Sequence, residues 1–139
     1  MTSLRAFVLT GLLALSFAPI SAQVVPVSAN ASDPSPTLKS ALRKLVTAQE
    51  SYWMAHGTYT TDVAALGMYS PTTAKGDSVW VQVVQAGGRS WWGRSTHRAR
   101  RDLSCVIYVG LTEDFTASPS TDAGRVKAQK EGEPVCDAF

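Results

Sequence analysis

Histidine is nearly absent from this chain: His56 and His97 are the only two. Neither stands at motif spacing from an acid and a serine or cysteine nucleophile, so no triad-like arrangement is legible. A glycine-rich phosphate loop is missing, as is the His-Glu-x-x-His pattern of a helical zinc site. Carboxylates are scattered, with no pair placed for acid/base work. Cysteine is equally scarce, at Cys105 and Cys136, and no histidine lies near either in sequence, which speaks against zinc. Long apolar runs are lacking beyond residue 22, and no segment repeats. The expectation is a protein that is not an enzyme: no catalytic residue is assigned, and no cofactor or metal is expected.

What is present begins with a secretory signal. Arg5 supplies the positive start, and Ala6 to Phe17 is an apolar core shorter than the ~20 residues of a spanning helix. Pro19 breaks that core, and Ile20-Ser21-Ala22 ends on a small residue suited to cleavage after Ala22. The alternative is an uncleaved anchor. No cysteine follows the core, which argues against a lipid anchor. Removing residues 1–22 leaves 117, enough for one domain with a modest core and no stable membrane insertion. The expected location is secreted or periplasmic, including the cell surface.

Residues 23–35, with Pro26 and Pro34 among serine, alanine and asparagine, read as a flexible linker, and residues 36–139 as the domain. A helix begins near Ser35, where Ser or Asp before a proline, as in Asp33-Pro34 and Ser35-Pro36, makes a good start. At about 100° per residue, Leu38, Ala41, Leu42, Leu45, Val46, Ala48, Tyr52 and Trp53 fall in one arc. Gln49 is the only polar residue in that arc. Lys39, Ser40, Arg43, Lys44, Thr47, Glu50 and Ser51 fill the other, so the helix has one buried and one wet face. Gly57 ends it, with His56 beside the stop, where a cation complements the helix dipole. Thr61 is expected to cap a short helix over Asp62 to Leu66, stopped by Gly67.

The period then changes. Residues 78–86 alternate Val79, Val81 and Val83 against Trp80, Gln82 and Val84, a strand pattern, and Gly87-Gly88 is a hairpin signal. Residues 89–97 read as the returning strand, 104–110 as a third, 111–124 as loop, and a short last strand is expected around Pro134-Val135-Cys136. A helix with an apolar stripe and a sheet with an apolar face each need a cover, so helix on sheet is the expected two-layer solution. Two cysteines behind a signal peptide read as one disulfide, whose closed loop would be worth about 3–4 kcal/mol. Two free thiols or a two-thiol metal site are the alternatives.

Charge is unevenly placed. Arg89, Arg94, Arg98, Arg100 and Arg101 crowd one segment, with no acid between Asp77 and Asp102, while Glu113 to Phe139 carries six acids and three bases. One reading sets the arginines against that acidic tail or in a solvated hairpin end. The other makes a binding surface of Trp91, Trp92, Arg94, His97, Arg98, Arg100 and Arg101, because arginine forks hold phosphate or carboxylate and tryptophans stack on bases or sugars. Its ligand would be DNA or an acidic polysaccharide. Adjacent strand residues point to opposite faces, so one of Trp91 and Trp92 is expected in the core and the other exposed.

Three stretches carry a family likeness. They are Ala48-Gln49-Glu50-Ser51-Tyr52 followed by Gly57-Thr58-Tyr59-Thr60; Trp91-Trp92-Gly93 and Ser95-Thr96-His97 leading to residues 104–110; and Pro134-Val135-Cys136-Asp137. Together they resemble the globular half of a type IV pilin or pseudopilin. The resemblance implies an α+β fold: one long amphipathic N-terminal helix on an antiparallel sheet of about three to four strands, with a C-terminal disulfide loop. It also implies a partner protein in a pilus- or secretion-like assembly. The upstream segment differs from a pilin's, which carries a Gly-Phe-type cleavage site and a glutamate early in an apolar polymerising helix. A pilin-like secreted domain is therefore expected rather than a filament subunit.

Overall fold

In the computed structural model the described residues are 33–68 and 79–138. The expected signal peptide, and the expected linker as far as residue 32, lie outside them. The first element, α1, spans Ser35–His56. It begins 34 residues into the chain rather than at its N-terminus, and its apolar residues form one stripe rather than an apolar rod. The N-cap position is Pro34, which offers no side-chain cap; the Asp33 carboxylate just before it accepts the Ser35 amide at 2.9 Å, and Gly57 ends the helix at φ 70°. Leu38, Leu42, Leu45 and Gln49 are fully buried, at i, i+4, i+7 and i+11 spacing.

Among the described residues four antiparallel strands follow: β1 Val79–Ala86, β2 Trp91–His97, β3 Arg100–Val109 and β4 Val135–Cys136, in the spatial order β1-β2-β3-β4. The fold is α+β, as the sequence pattern suggests. β3 starts four residues earlier than its apolar alternation does, because Arg100 continues the pairing opposite His97. The helix stripe packs on Val81, Val83, Trp91, Leu103, Cys105 and Ile107. Gly93 lies at the closest approach: a Cβ there would come within 2.7 Å of the Gln82 carbonyl oxygen and 3.2 Å of Leu45 Cδ2. The Cys105–Cys136 disulfide joins two facing residues of β3 and β4, 31 positions apart, and leaves no free cysteine among the described residues.

The buried amide of Gln49 explains the one polar residue in the apolar arc. Its Nε2 donates to the Thr60 carbonyl at 2.6 Å, and its Oε1 accepts the Thr60 amide at 3.1 Å. This pair ties the chain after α1 back onto the helix. The Tyr59 amide then donates to the Gly87 carbonyl, and the Trp53 indole to that of Gly88, so the segment also grips the β1–β2 turn. The expected short helix after Thr61 is instead a run of turns. Asp62, not Thr61, caps it, accepting the amides of Ala64 and Ala65.

The sheet has a second covered face. Trp92, Val106, Tyr108 and Ala128 form a separate buried cluster, closed by Val84, Phe115 and Val135. The cover is the irregular chain after β3. It contains a 3-10 turn at Thr112–Asp114 and a single bridge between Ser120 and Lys127. Among the described residues, no helix is long and apolar enough to cross a membrane.

Candidate functional site

The arginine- and tryptophan-rich segment forms β2, the following turn and the start of β3, and strand alternation decides what each side chain can do. Trp91 points to the helix and is fully buried against the Tyr59 ring, 6.4 Å between centroids. Trp92 points the other way, yet it is only 4% exposed. The expectation that one tryptophan would be exposed therefore fails: the C-terminal chain covers the face that a two-layer fold would leave wet. Arg94 closes over Trp92, its guanidinium carbon 5.5 Å from the ring centroid, and its Nη1 meets Asp122 Oδ1 at 2.7 Å. In this pair the basic segment does lie against the acidic tail.

The turn end is different. His97 Nδ1 accepts the Ala99 amide at 3.3 Å, which closes the hairpin. Arg100 makes a two-pronged contact with Asp102, at 3.1 and 3.0 Å. The Arg100 hydrogen bond holds the Asp102 carboxyl below its usual range, and the same bond raises the Arg100 pKa. Arg98 and Arg101 are exposed and form no ion pair with any described residue. The seven residues read as one surface are thus divided: Trp91 and Trp92 belong to two cores, Arg94 and Arg100 have acidic partners, His97 closes the hairpin through the Ala99 amide, and Arg98 and Arg101 form no ion pair with a described residue at the tip.

No family model matches this chain, and no curated protein matches its sequence.

Two features escape a reading of the sequence. The first is a buried polar hub at Asp137, 3% exposed. Its Oδ1 accepts from Thr121 Oγ1 at 2.7 Å and Arg125 Nε at 3.3 Å; its Oδ2 accepts from Ser104 Oγ at 3.0 Å and the Ser104 amide at 3.2 Å. Burial alone would raise the Asp137 pKa, but the hydrogen bonds from Thr121, Arg125 and Ser104 outweigh it and hold the carboxyl ionised to lower pH. The hub locks the C-terminal chain to β3, and its four residues are dispersed in sequence. The second is Trp80, on the β1 face opposite α1 and 49% exposed, whose alternation was visible but whose lack of cover was not.

Catalytic geometry is weakly represented. A cleft of about 320 Å³ is lined by residues 85–90, Asp114 and Phe115; in it Ser90 Oγ donates to Asp114, and no histidine belongs to that lining. His56 stacks on Tyr52 at 4.0 Å and is held by the Tyr52 carbonyl. Among the described residues, no group of three or more His, Cys, Asp or Glu side chains is placed to hold a metal ion. Tyr59 is pushed up to about 12 by burial and by the Glu50 carboxylate that accepts its hydroxyl at 2.9 Å. That contact belongs to the packing of the α1 exit, since Tyr59 lies between α1 and Trp91.

Proposed function

We propose that this chain is a secreted, non-enzymatic, pilin-like protein whose work is interaction or assembly at the cell surface or in the periplasm. The observation that carries the reading is the element order: one amphipathic helix, then four antiparallel strands, with the last strand clasped by a disulfide. A disulfide suits an oxidising compartment, which agrees with the signal-like first 22 residues. The partner would be another protein of a pilus- or secretion-like assembly. Chemical cross-linking in the host envelope, followed by mass spectrometry, tests this. The expected result is a chain starting at Gln23 and joined to components of such an assembly. A chain that retains Met1 in the membrane, or one joined to no envelope protein, refutes it.

A second reading, a module that holds DNA or an acidic polysaccharide, is favoured by one observation. Arg98 and Arg101 are exposed at the hairpin tip without a described acidic partner. Retention of the mature protein on an immobilised polyanion, falling as salt rises, is the expected result. Passage without retention at low salt refutes it.

A further inference from the structure

We propose that the free edge of β1 pairs with β1 of a second copy of this chain, joining two sheets into one across a two-fold axis. The inference goes beyond the assembly reading, since it needs no envelope partner. Among the described residues β1 and β4 are the outer strands of the sheet. β4 is two residues long and gives a partner little to grip, whereas β1 runs for eight. Edges of that length are commonly blunted by lysine or proline, yet Val79–Ala86 holds no charged residue and no proline. A Cβ on Gly93 would come within 2.7 Å of the Gln82 carbonyl oxygen, so that carbonyl points into the β1–β2 ladder. In an antiparallel strand a residue's amide and carbonyl share a side and neighbours alternate, so Val79, Val81 and Val83 turn theirs to the outer edge. The bulge between Val83 and Gln85 bounds this open run. Among the described residues, no hydrogen bond outside the β1–β2 ladder reaches these amides and carbonyls. The turns after α1 pack Val63, Leu66 and Met68 on the helix-side core without one.

The strand's own chemistry selects the occupant. With no charge of its own, this edge has nothing to pair with a charged strand, and it suits a neutral one of the same alternation. A second copy is such a strand. Antiparallel pairing about Val81 sets Val81 against its counterpart and Val79 against the partner's Val83, so the outward amides and carbonyls of the two strands satisfy one another. A two-fold axis perpendicular to the sheet at that point keeps the α1 sides together. Valine then meets valine on the helix side of both sheets, and Trp80 meets the partner's Gln82 on the opposite side. Pairing covers the flank of Trp80, which the fold leaves nearly half exposed, while the outer face of the ring stays in solvent. α1 lies chiefly over β2 and β3, which leaves room beside β1 for the second sheet.

Light scattering coupled to size exclusion tests the proposal on the purified protein at concentrations up to about 1 mM, since a single strand pair belongs to the weak class of interface. Wild type should move toward twice the monomer mass as concentration rises, and amide exchange at Val81 and Val83 should slow over the same range. Trp80→Lys with Gln82→Lys sets like charges against each other across the two-fold axis and should weaken association roughly tenfold or more. Trp80→Lys with Gln82→Glu sets opposite charges there and should restore it. Both residues are exposed, so circular dichroism should not change. Wild type that stays monomeric over that range overturns the proposal; slow exchange at Val81 and Val83 in such a monomer means that another part of the chain covers the edge. A dimer that Trp80→Lys with Gln82→Lys leaves intact overturns β1 as the interface. Failure of Trp80→Lys with Gln82→Glu to recover association overturns the pairing about Val81. A monomeric wild type leaves the envelope reading standing, because cross-linking tests that separately.

Discussion

Replacing Asp137 by alanine should release the C-terminal cover from the sheet. The substitution removes a carboxylate that accepts four hydrogen bonds. Arg125 loses little, because its side chain is 55% exposed and water can replace the contact. Ser104 and Thr121 are each 1% exposed, so their donors are left unpaired in the interior. At about 1–3 kcal/mol for each of the three stranded donors, the Ser104 amide and hydroxyl and the Thr121 hydroxyl, the expected loss is about 3–9 kcal/mol, a large share of a small domain's net stability. Urea unfolding followed by tryptophan fluorescence is the assay, because Trp92 lies under the released segment. Coincident unfolding curves for Asp137→Ala and wild type would refute the reasoning. The pH dependence supplies a second readout. A carboxyl held below its ordinary value of 3.8 contributes stability that is complete above that value and is lost as pH falls through its folded-state pKa. Asp137→Asn should therefore be less stable at neutral pH and show a shallower loss in the acid range below about pH 4.

Three further outcomes follow from the packing. Leu42→Asp places a carboxylate in the core and should cost several kcal/mol, whereas Arg43→Asp on the wet face should barely move the melting temperature. Mass spectrometry without reductant should find Cys105 and Cys136 joined, and replacing both by serine should cost about 3–4 kcal/mol in denaturant unfolding. Gly93→Ala should destabilise by about 1–3 kcal/mol, because its methyl group would meet the Gln82 carbonyl and Leu45, and the midpoint of thermal unfolding reads this out.

The helix and the first hairpin were legible because each buries one face, and one-sided burial imprints a period on the residues. Leu38, Leu42 and Leu45 repeat at helical spacing, and Val79, Val81 and Val83 at strand spacing. Even the outlier Gln49 was visible, although its partner Thr60 was not. The second core was hidden for the converse reason. Phe115, Ala128 and Val135 cover Trp92 from a chain that has almost no regular structure, so no period announces their common face. The start of β3 is not legible in the sequence because its first residues, Arg100 to Asp102, are polar and carry no apolar alternation. The Asp137 hub could not be read at all, since Ser104, Thr121 and Arg125 approach it only once the chain has folded back. The same omission misplaced the candidate site: without the C-terminal cover, Trp92 looks available and Trp80 unremarked.

Covalent labelling of the native protein with a tryptophan-selective oxidant, mapped by peptide mass spectrometry, tests most directly whether the sheet is covered on both faces. Trp80 and Trp53 should react readily, Trp91 and Trp92 only after unfolding. Labelling of Trp92 in the folded protein at the rate of Trp80 would contradict the account, because the C-terminal chain would then not close the second face.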